Sequence, residues 1–273
     1  MGKHVKLAGR AGLILLTLVF ASPILWMFLS SLKPPDQIFL QPPKWIPDPI
    51  SFSNYIQAVK AIPFFLYLKN TIFISTLSTI GVVVSSVTPA YALARMKFRG
   101  KGILLPILLA TMFLPFPAIM IPTYLIFAKL KWIGTFLPLI VPSFLGDAFS
   151  IFLLRQFFIR LPSDLLDAAR VDGASELQII RYVVIPLSGA AIATIAVLNF
   201  TFMWSDFLRP LLYLNEASHF TLSIGIQSYQ AHHATSWHLV LAATVIFILP
   251  IFITFWTAQR TFISGLTLGS VKE

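Results

Sequence analysis

Six apolar segments, each of roughly 20 residues or more, constrain the fold of this chain more than any other feature of its sequence. They are residues 11–32, 68–94, 103–125, 135–158, 186–213 and 239–262. A helix needs about 20 apolar residues to cross the hydrocarbon core of a bilayer. Hydrophobic residues make up 57% of the sequence and charged residues 11%, as in polytopic membrane proteins. The sequence therefore predicts an all-α membrane protein, one transmembrane domain over residues 1–273 with six transmembrane helices.

Basic residues are distributed unevenly among the segments that connect these helices. With the N-terminus placed inside, thirteen Lys and Arg residues lie on the inner side and seven on the outer side. Lys and Arg accumulate in cytoplasmic loops of membrane proteins. We therefore expect both termini and the loop 161–185 to be cytoplasmic. The same rule accounts for the net charge of +10, so no nucleic-acid partner is expected.

Residues 163–176 form a polar island between apolar segments, with four acidic residues and one Arg. Ser163 is a candidate N-cap for a short helix, and Gly173 is a candidate stop, because Gly adopts a left-handed conformation without penalty. Ser175, with Gln three residues later, predicts a capping box and a second helix. That helix is expected to end at Pro186. The pattern predicts a helix–Gly–helix loop between the fourth and fifth transmembrane helices.

The motif D-A-A-x-x-D-G-A at residues 167–174, followed by I-P-L at 185–187, resembles the "EAA" loop of permeases in ATP-binding-cassette (ABC) importers. Asp replaces the usual Glu of that motif, and Ile-Pro replaces Leu-Pro. The resemblance implies that the loop 161–185 forms coupling helices that dock into a cleft of an ATPase subunit. The candidate ATPase-coupling residues are Asp167, Ala168, Ala169, Asp172, Gly173 and Ala174.

Further motifs extend the resemblance over essentially the whole chain. They include A-Y-A-L-A-R at 90–95, W-S-D-F-L at 204–208, where the family has W-N-D-F-L, and the tail pattern Q-R-x-F-x-x-G-L-x-x-G-x-V-K at 259–272. In order and spacing they are similar to the carbohydrate-uptake type of ABC permease, in particular the smaller permease of maltose-type importers. The resemblance implies a sugar or sugar-like substrate, with glycerol-phosphate-type or polyol substrates as the alternative.

The same resemblance implies a set of partners and a location. The partners would be a second homologous permease, two ATPase subunits, an extracytoplasmic solute-binding protein and the lipid bilayer. ATP and Mg²⁺ would bind to the ATPase subunits, and this chain would carry no cofactor. The expected location is the cytoplasmic (inner) membrane of a bacterium or archaeon, and the expected mechanism is alternating access.

Two carboxylates fall within predicted transmembrane helices, where an ionisable group is costly and often functional. Asp147 and Asp206 are candidates for the substrate pathway, because a carboxylate beside aromatic rings can accept hydrogen bonds from sugar hydroxyls. Asn199 and Trp204 complete this candidate set. A structural role is the alternative, with a backbone N–H bound to the carboxylate or, for Asp206, an ion pair with Arg209 three residues later.

Other function classes find little support in the sequence. It contains no cysteine and no G-x-x-x-x-G-K-[ST] motif, and we expect no catalytic residues and no metal site. His232, His233 and His238 have no nearby acidic residue or cysteine and are expected to be solvated. A secondary transporter would need an ion relay, for which only Asp147 and Asp206 are available, and nothing in the sequence pairs them.

Overall fold

The computed structural model describes residues 3–230 and 236–267, and side chains are described for 9–230 and 236–259. Regular structure in these residues is entirely helical, as predicted. The α-helices, numbered along the chain, are α1 (Lys3–Ser31), α2 (Ser53–Ala61), α3 (Phe64–Arg95), α4 (Lys101–Thr111), α5 (Phe116–Lys129), α6 (Leu137–Ile140), α7 (Ala148–Phe158), α8 (Ser163–Val171), α9 (Glu176–Ile179), α10 (Ile185–Leu187), α11 (Gly189–Ser205), α12 (Leu208–Tyr213), α13 (Leu222–Ser228) and α14 (Trp237–Thr267).

Four helical segments of the described chain are long and apolar enough to cross a membrane, and two bent helix pairs bring the number to six if each pair is one span. The four segments are Gly9–Ser31, Phe64–Arg95, Leu137–Phe158 and Trp237–Gln259. The bent pairs are α4 with α5 and the stretch Glu176–Leu187 with α11. All six predicted apolar segments overlap one of these spans.

The third predicted span is the most irregular. Its two halves, α4 and α5, meet at an angle of 99° across a break at residues 112–115. Pro115 is the N-cap of α5 and takes an extended conformation. A proline cannot donate the hydrogen bond that would continue α4, so the chain turns there. The prolines between Pro115 and Pro122 predict an irregular third span, and the break at residues 112–115 confirms that prediction.

The fourth predicted span is also divided. A 3₁₀ turn, Val141–Leu145, follows α6, and Gly146 then takes a φ of +97° before α7 begins. Asp147 is the N-cap of α7. The helix is thus interrupted inside this span, directly beside one of the two candidate carboxylates.

The described chain divides into two compact units. The larger contains residues 66–223 and those after 249, and its main apolar core joins α3, α7, α8, α9 and α11. Tyr91 of α3, Leu154 and Phe158 of α7, and Ile195 of α11 are all buried there. This core holds the polar loop 161–185 against the long helices.

The smaller unit contains the described residues up to 65 together with 224–230 and 236–249. The amide of Asn54 donates hydrogen bonds to the backbone carbonyls of Ser31 and Lys33, both at 2.8 Å, and so attaches α2 to the end of α1. The seven prolines among residues 33–63 predict an extended loop without a regular helix, and α2 contradicts that prediction. The prolines of this stretch lie on either side of α2 and none lies within it, so its hydrogen bonds are unimpaired.

Candidate functional site

The loop 161–185 folds into two short helices, α8 and α9, joined by a sharp turn. Gly173 lies in that turn with a φ of +80°, which confirms the predicted stop. The hydroxyl of Ser175 accepts a hydrogen bond from the backbone N–H of Gln178, whose side-chain oxygen accepts one from the N–H of Ser175. The predicted capping box is therefore confirmed.

Two boundaries of this loop differ from the prediction. Ser163 is the first residue of α8 and does not cap it, because Pro162 takes the extended N-cap position with a φ of −59°. The second helix does not end at Pro186, since a π-helical segment, Ile180–Val184, leads into α10. The bend of 80° comes at Ser188 instead. A wider π turn leaves room for the proline ring, which would otherwise collide with the carbonyl four residues earlier.

Two buried side chains attach the loop to the membrane helices. Leu166 of α8 and Ile179 of α9 are both buried in the main core of the larger unit. They share that core with Leu154 and Phe158 of α7. Any displacement of α8 or α9 therefore has to move or repack side chains of α7, because closely packed cores do not deform freely.

The six candidate coupling residues lie on the last turns of α8 and at the glycine turn. Asp167 forms an ion pair with Arg170 at 2.7 Å. Ala169 and Ala174 are half-buried and pack against the main core. The other three are exposed, namely Ala168, Asp172 and Gly173.

A polar network links this loop to α3. The hydroxyl of Tyr91 donates to Oε2 of Glu176 at 2.5 Å, and Nε of Arg170 donates to Oε1 of the same carboxylate at 2.9 Å. Nη2 of Arg170 also donates to the Tyr91 hydroxyl, at 3.3 Å. The sequence does not predict this network, since Tyr91 and Glu176 are 85 residues apart. The only available signal was the position of Tyr91 within the A-Y-A-L-A-R motif.

Hydrogen bonding in this network stabilises the charged forms of both partners. The hydrogen bond to Arg170, followed by that to Tyr91, lowers the pKa of Glu176, and the hydrogen bond to Glu176 raises the pKa of Arg170. Both groups are thus ionised at neutral pH. The resulting ion pair joins α8 to α9 across the glycine turn.

The outer surface of the loop is apolar at several points. Val171, the last residue of α8, is 87% exposed, and Leu177 of α9 is 71% exposed. Leu165 and Tyr182 are exposed as well. A charged loop that leaves large apolar side chains uncovered has the composition of an interaction surface.

A cavity of about 440 Å³ lies elsewhere in the larger unit, bordered by α3, α7, α11 and the turn at Gly146. Its volume is within the range of about 300–1,000 Å³ typical of small-molecule sites. Of the candidate pathway residues, Asp147 and Asn199 line it. Phe149 and Phe202 supply aromatic walls, and Arg209 lies at its edge.

Asp147 combines a structural contact with a position on the cavity. Its Oδ2 accepts a hydrogen bond from the backbone N–H of Ser150 at 2.8 Å, so the carboxylate caps α7. This is the backbone contact that the sequence left open as an alternative. The amide of Asn199 donates to the hydroxyl of Thr79 on α3 at 3.2 Å.

Asp206 and Trp204 lie outside the cavity wall. Asp206 forms an ion pair with Arg209, with 2.6 Å between Oδ2 and Nε, and only Arg209 of this pair lines the cavity. Trp204 is 1% exposed and stacks on Phe200 with 5.5 Å between ring centroids. Sequence analysis identified Arg209 as a partner of Asp206 but did not place it at the cavity.

Among the described residues, no group of three or more His, Asp or Glu side chains is arranged to hold a metal ion. His238 is half-buried at the start of α14. His232 and His233 lie outside the described residues.

Comparison with known proteins shows the same architecture in transporters. The family model described as "Binding-protein-dependent transport system inner membrane component" matches residues 78–261. The chain is similar to a crystal structure of a bacterial ABC transporter involved in the import of the acidic polysaccharide alginate. The TM-score is 0.80 at 25% identity, and the match covers 96% of this chain and 99% of the other.

Two sequence relatives are permease proteins. The sulfoquinovosyl glycerol transport system permease protein SmoH of Agrobacterium fabrum is 32% identical over 92% of this chain and 88% of its own length. The arabinooligosaccharides transport system permease protein AraQ of Halalkalibacterium halodurans is 31% identical over 96% of this chain and 94% of its own length. Because the family model covers well over half of the sequence, the chain belongs to the inner membrane components of binding-protein-dependent transport systems.

Proposed function

We propose that this chain is a transmembrane subunit of an ABC importer that carries a sugar or sugar-like solute into the cytoplasm. The observation that supports this most directly is the construction of the loop 161–185. Its inner side is anchored by Leu166 and Ile179 in the core of the membrane helices. On its outer side Val171 and Leu177 are exposed and can be buried by contact with another protein. The relatives, which include permeases for oligosaccharides and sugar derivatives, support the substrate class.

In this proposal the loop is the contact with one of two ATPase subunits. Exposed apolar side chains on a rigid pair of helices suit insertion into a cleft of a partner protein. ATP and Mg²⁺ bind to the ATPase subunits, and their closure on nucleotide displaces the loop. Since α8 and α9 share a core with α7, that displacement reaches the membrane helices.

The cavity beside α7 and α11 is the proposed solute pathway of this subunit. The carboxylate of Asp147 and the amide of Asn199 can hydrogen-bond to hydroxyl groups, and Phe149 and Phe202 offer apolar surface for a sugar ring. The guanidinium of Arg209 is paired with Asp206, which favours a neutral, hydroxyl-rich solute over a phosphate. A second permease and an extracytoplasmic binding protein complete the proposed importer.

The proposed orientation places both chain termini and the loop 161–185 in the cytoplasm. It rests on the excess of Lys and Arg in the segments that lie on that side of the six apolar segments. With this orientation the ATPase meets the loop, and the binding protein meets the opposite face.

The experiment is uptake by cells in which this gene is deleted and then restored on a plasmid. Radiolabelled disaccharides, longer oligosaccharides, polyol glucosides and glycerol 3-phosphate are compared at low micromolar concentration. We expect uptake of one sugar class to be lost in the deletion strain and regained with the intact gene. Loss of glycerol 3-phosphate uptake alone would support the alternative substrate class. Unchanged uptake of every compound would contradict the proposal.

A further inference from the structure

The main core and the network around Arg170 join the loop 161–185 to the membrane helices through two different kinds of contact. Leu166 and Ile179 share an apolar core with side chains of α3, α7 and α11, whereas Glu176 makes a polar contact with Tyr91 of α3. The apolar contact is non-directional and permits sliding, while a hydrogen bond fixes distance and angle. The two contacts therefore have different mechanical properties.

Tyr91 is unusual because its hydroxyl is a polar group in an apolar core. The side chain is fully buried between α3 and the loop, and its O–H meets the carboxylate of Glu176 at 2.5 Å. A hydrogen bond between a hydroxyl and a carboxylate is charge-assisted and stronger than one between neutral groups. A phenylalanine would fill the same volume without the polar contact, so the hydroxyl has a role beyond packing.

Arg170 completes the arrangement from α8. Its guanidinium contacts Asp167 at 2.7 Å, Glu176 at 2.9 Å and the Tyr91 hydroxyl at 3.3 Å. One cation thus connects α8, α9 and α3. The turn between α8 and α9 contains Gly173 at a φ of +80°, and Arg170 spans this turn from α8 to Glu176 on α9.

We propose that Tyr91, Glu176 and Arg170 form a polar link that makes the loop 161–185 and the helix α3 move as one body during transport. Tyr91 is a positioning residue in this link, and Arg170 keeps the two helices of the loop from bending at Gly173. The inference rests on the proposed function, because the displacement that it transmits comes from the ATPase. It assigns to α3 a directional polar path for that displacement, in addition to the apolar core that the loop shares with α3, α7 and α11.

Spin-label distance measurements test the link in the assembled importer, purified through a tag on this chain. The chain has no native cysteine, so Val84→Cys on α3 and Asp164→Cys on α8 add two defined label sites, and both residues are exposed. Complexes with only one of these cysteines correct for labels on the other subunits. Distances are recorded without nucleotide and after trapping with ATP and vanadate, and ATP hydrolysis is measured on the same samples.

With Tyr91 intact we expect a single narrow distance distribution that is the same in both states. In Tyr91→Phe we expect the distribution to broaden and its mean to shift between the two states, although ATP hydrolysis continues. If the distance distribution of Tyr91→Phe is the same as that of the intact chain in both states, the proposed link is overturned, even if the variant has a lower melting temperature. Tyr91 would then be a packing residue. A purified complex that does not hydrolyse ATP would overturn the proposed function itself, which separates the two failures.

Tyr67→Phe is the matched control. Tyr67 is buried on the same helix α3, and its hydroxyl has no hydrogen bond to any residue that the structure describes. Tyr67→Phe should leave the distances between the two spin labels unchanged. A shift equal to that of Tyr91→Phe would show a general loosening of α3 and would contradict the inference. The double variant Tyr91→Phe with Glu176→Gln should shift the distance no further than the larger single change. Fully additive shifts would show that the two residues act independently.

Discussion

Arg95 and Arg155 each donate a hydrogen bond to the end of the other's helix. Nε of Arg95, the last residue of α3, donates to the carbonyl of Phe158 at the end of α7, at 2.9 Å. Nε of Arg155 on α7 donates to the carbonyl of Leu93 near the end of α3, at 3.2 Å. The last carbonyls of a helix have no partner within it and carry the negative end of its dipole, so each cation stabilises the opposite helix.

Removing this exchange should destabilise the junction from which the loop 161–185 begins. For Arg95→Met we expect a loss of about 1.5–3 kcal/mol of unfolding free energy, the range for hydrogen bonds to a charged group. The measurement is thermal unfolding of the purified complex. Arg160→Met is the control, because Arg160 is exposed nearby and its side chain makes no hydrogen bond to a described residue. Equal losses in the two variants would indicate a general effect of removing positive charge.

The conformation of Gly173 predicts a graded series of substitutions. A Cβ added there would meet no atom within 4 Å, so the cost of substitution is backbone strain and not collision. The φ of +80° should therefore tolerate Asn better than Val, for which a left-handed conformation costs about 1–2 kcal/mol or more. We expect uptake to fall in the order Gly, Asn, Val while the permease still inserts.

The control for that series is Gly102→Val on α4. Gly102 has equally open surroundings and no positive φ. The Gly102→Val permease should therefore take up solute at the normal rate. Normal uptake by Gly173→Val would contradict a coupling role for the turn, and equal defects in both Val variants would point to an effect on insertion.

Replacement of Asp147 separates its two contacts. Asn and Asp cap helices equally well, so Asp147→Asn should keep the cap on α7 while removing the charge from the cavity. Asp147→Ala removes both, and loss of the cap should cost about 0.5–2 kcal/mol. We expect Asp147→Asn to assemble normally and to transport less, measured as uptake per assembled complex. Normal uptake with poor assembly would instead identify a structural carboxylate.

Acid pH should weaken the contact between α8 and α9. In the folded protein the pKa of Glu176 lies below its usual value of 4.5. The ionised Glu176 side chain therefore contributes its full stabilisation at any pH above 4.5. It is lost as the pH falls through the lowered pKa, while Arg170 stays charged. We expect the difference in melting temperature between the intact chain and Glu176→Gln to shrink as the pH falls below about 4.5. A difference that stays constant over this range would contradict an ionised Glu176 in the native protein.

Cysteine labelling tests the proposed orientation. The chain contains no cysteine, so a single cysteine at position 44 or 100 gives an unambiguous signal. A membrane-impermeant maleimide should reach Lys44→Cys in intact cells and Gly100→Cys only after permeabilisation. Labelling of both from the same side would contradict the six-span orientation.

Local patterns in the sequence predicted much of the fold. Apolar length predicted the helical spans, and the spacing of Ser175 and Gln178 predicted the capping box, because both signals act over a few residues. The stop at Pro186 was wrong, since a π turn is a response to a proline that spacing does not reveal. Tyr91 and Glu176 were not paired in the sequence analysis because their contact depends on how distant helices pack.

The candidate pathway shows the same division. The spacing of three residues between Asp206 and Arg209 predicted their ion pair as the alternative to a role in the substrate pathway. That Arg209 and Asn199 border one cavity with Asp147 depends on how their separate helices pack, which apolar length does not encode.

The bend between α4 and α5 has a consequence for how the protein is made. At 1.5 Å per residue their 11 and 14 residues extend roughly 16 and 21 Å, so neither helix alone crosses a hydrocarbon core of about 30 Å. The unpaired backbone groups at the bend cannot face lipid. An aromatic partner of α5 is Tyr213, which stacks on Tyr124 and emerges from the ribosome long after α5. Biogenesis of this segment therefore has to be a cooperative event, completed only when later helices have entered the membrane beside it.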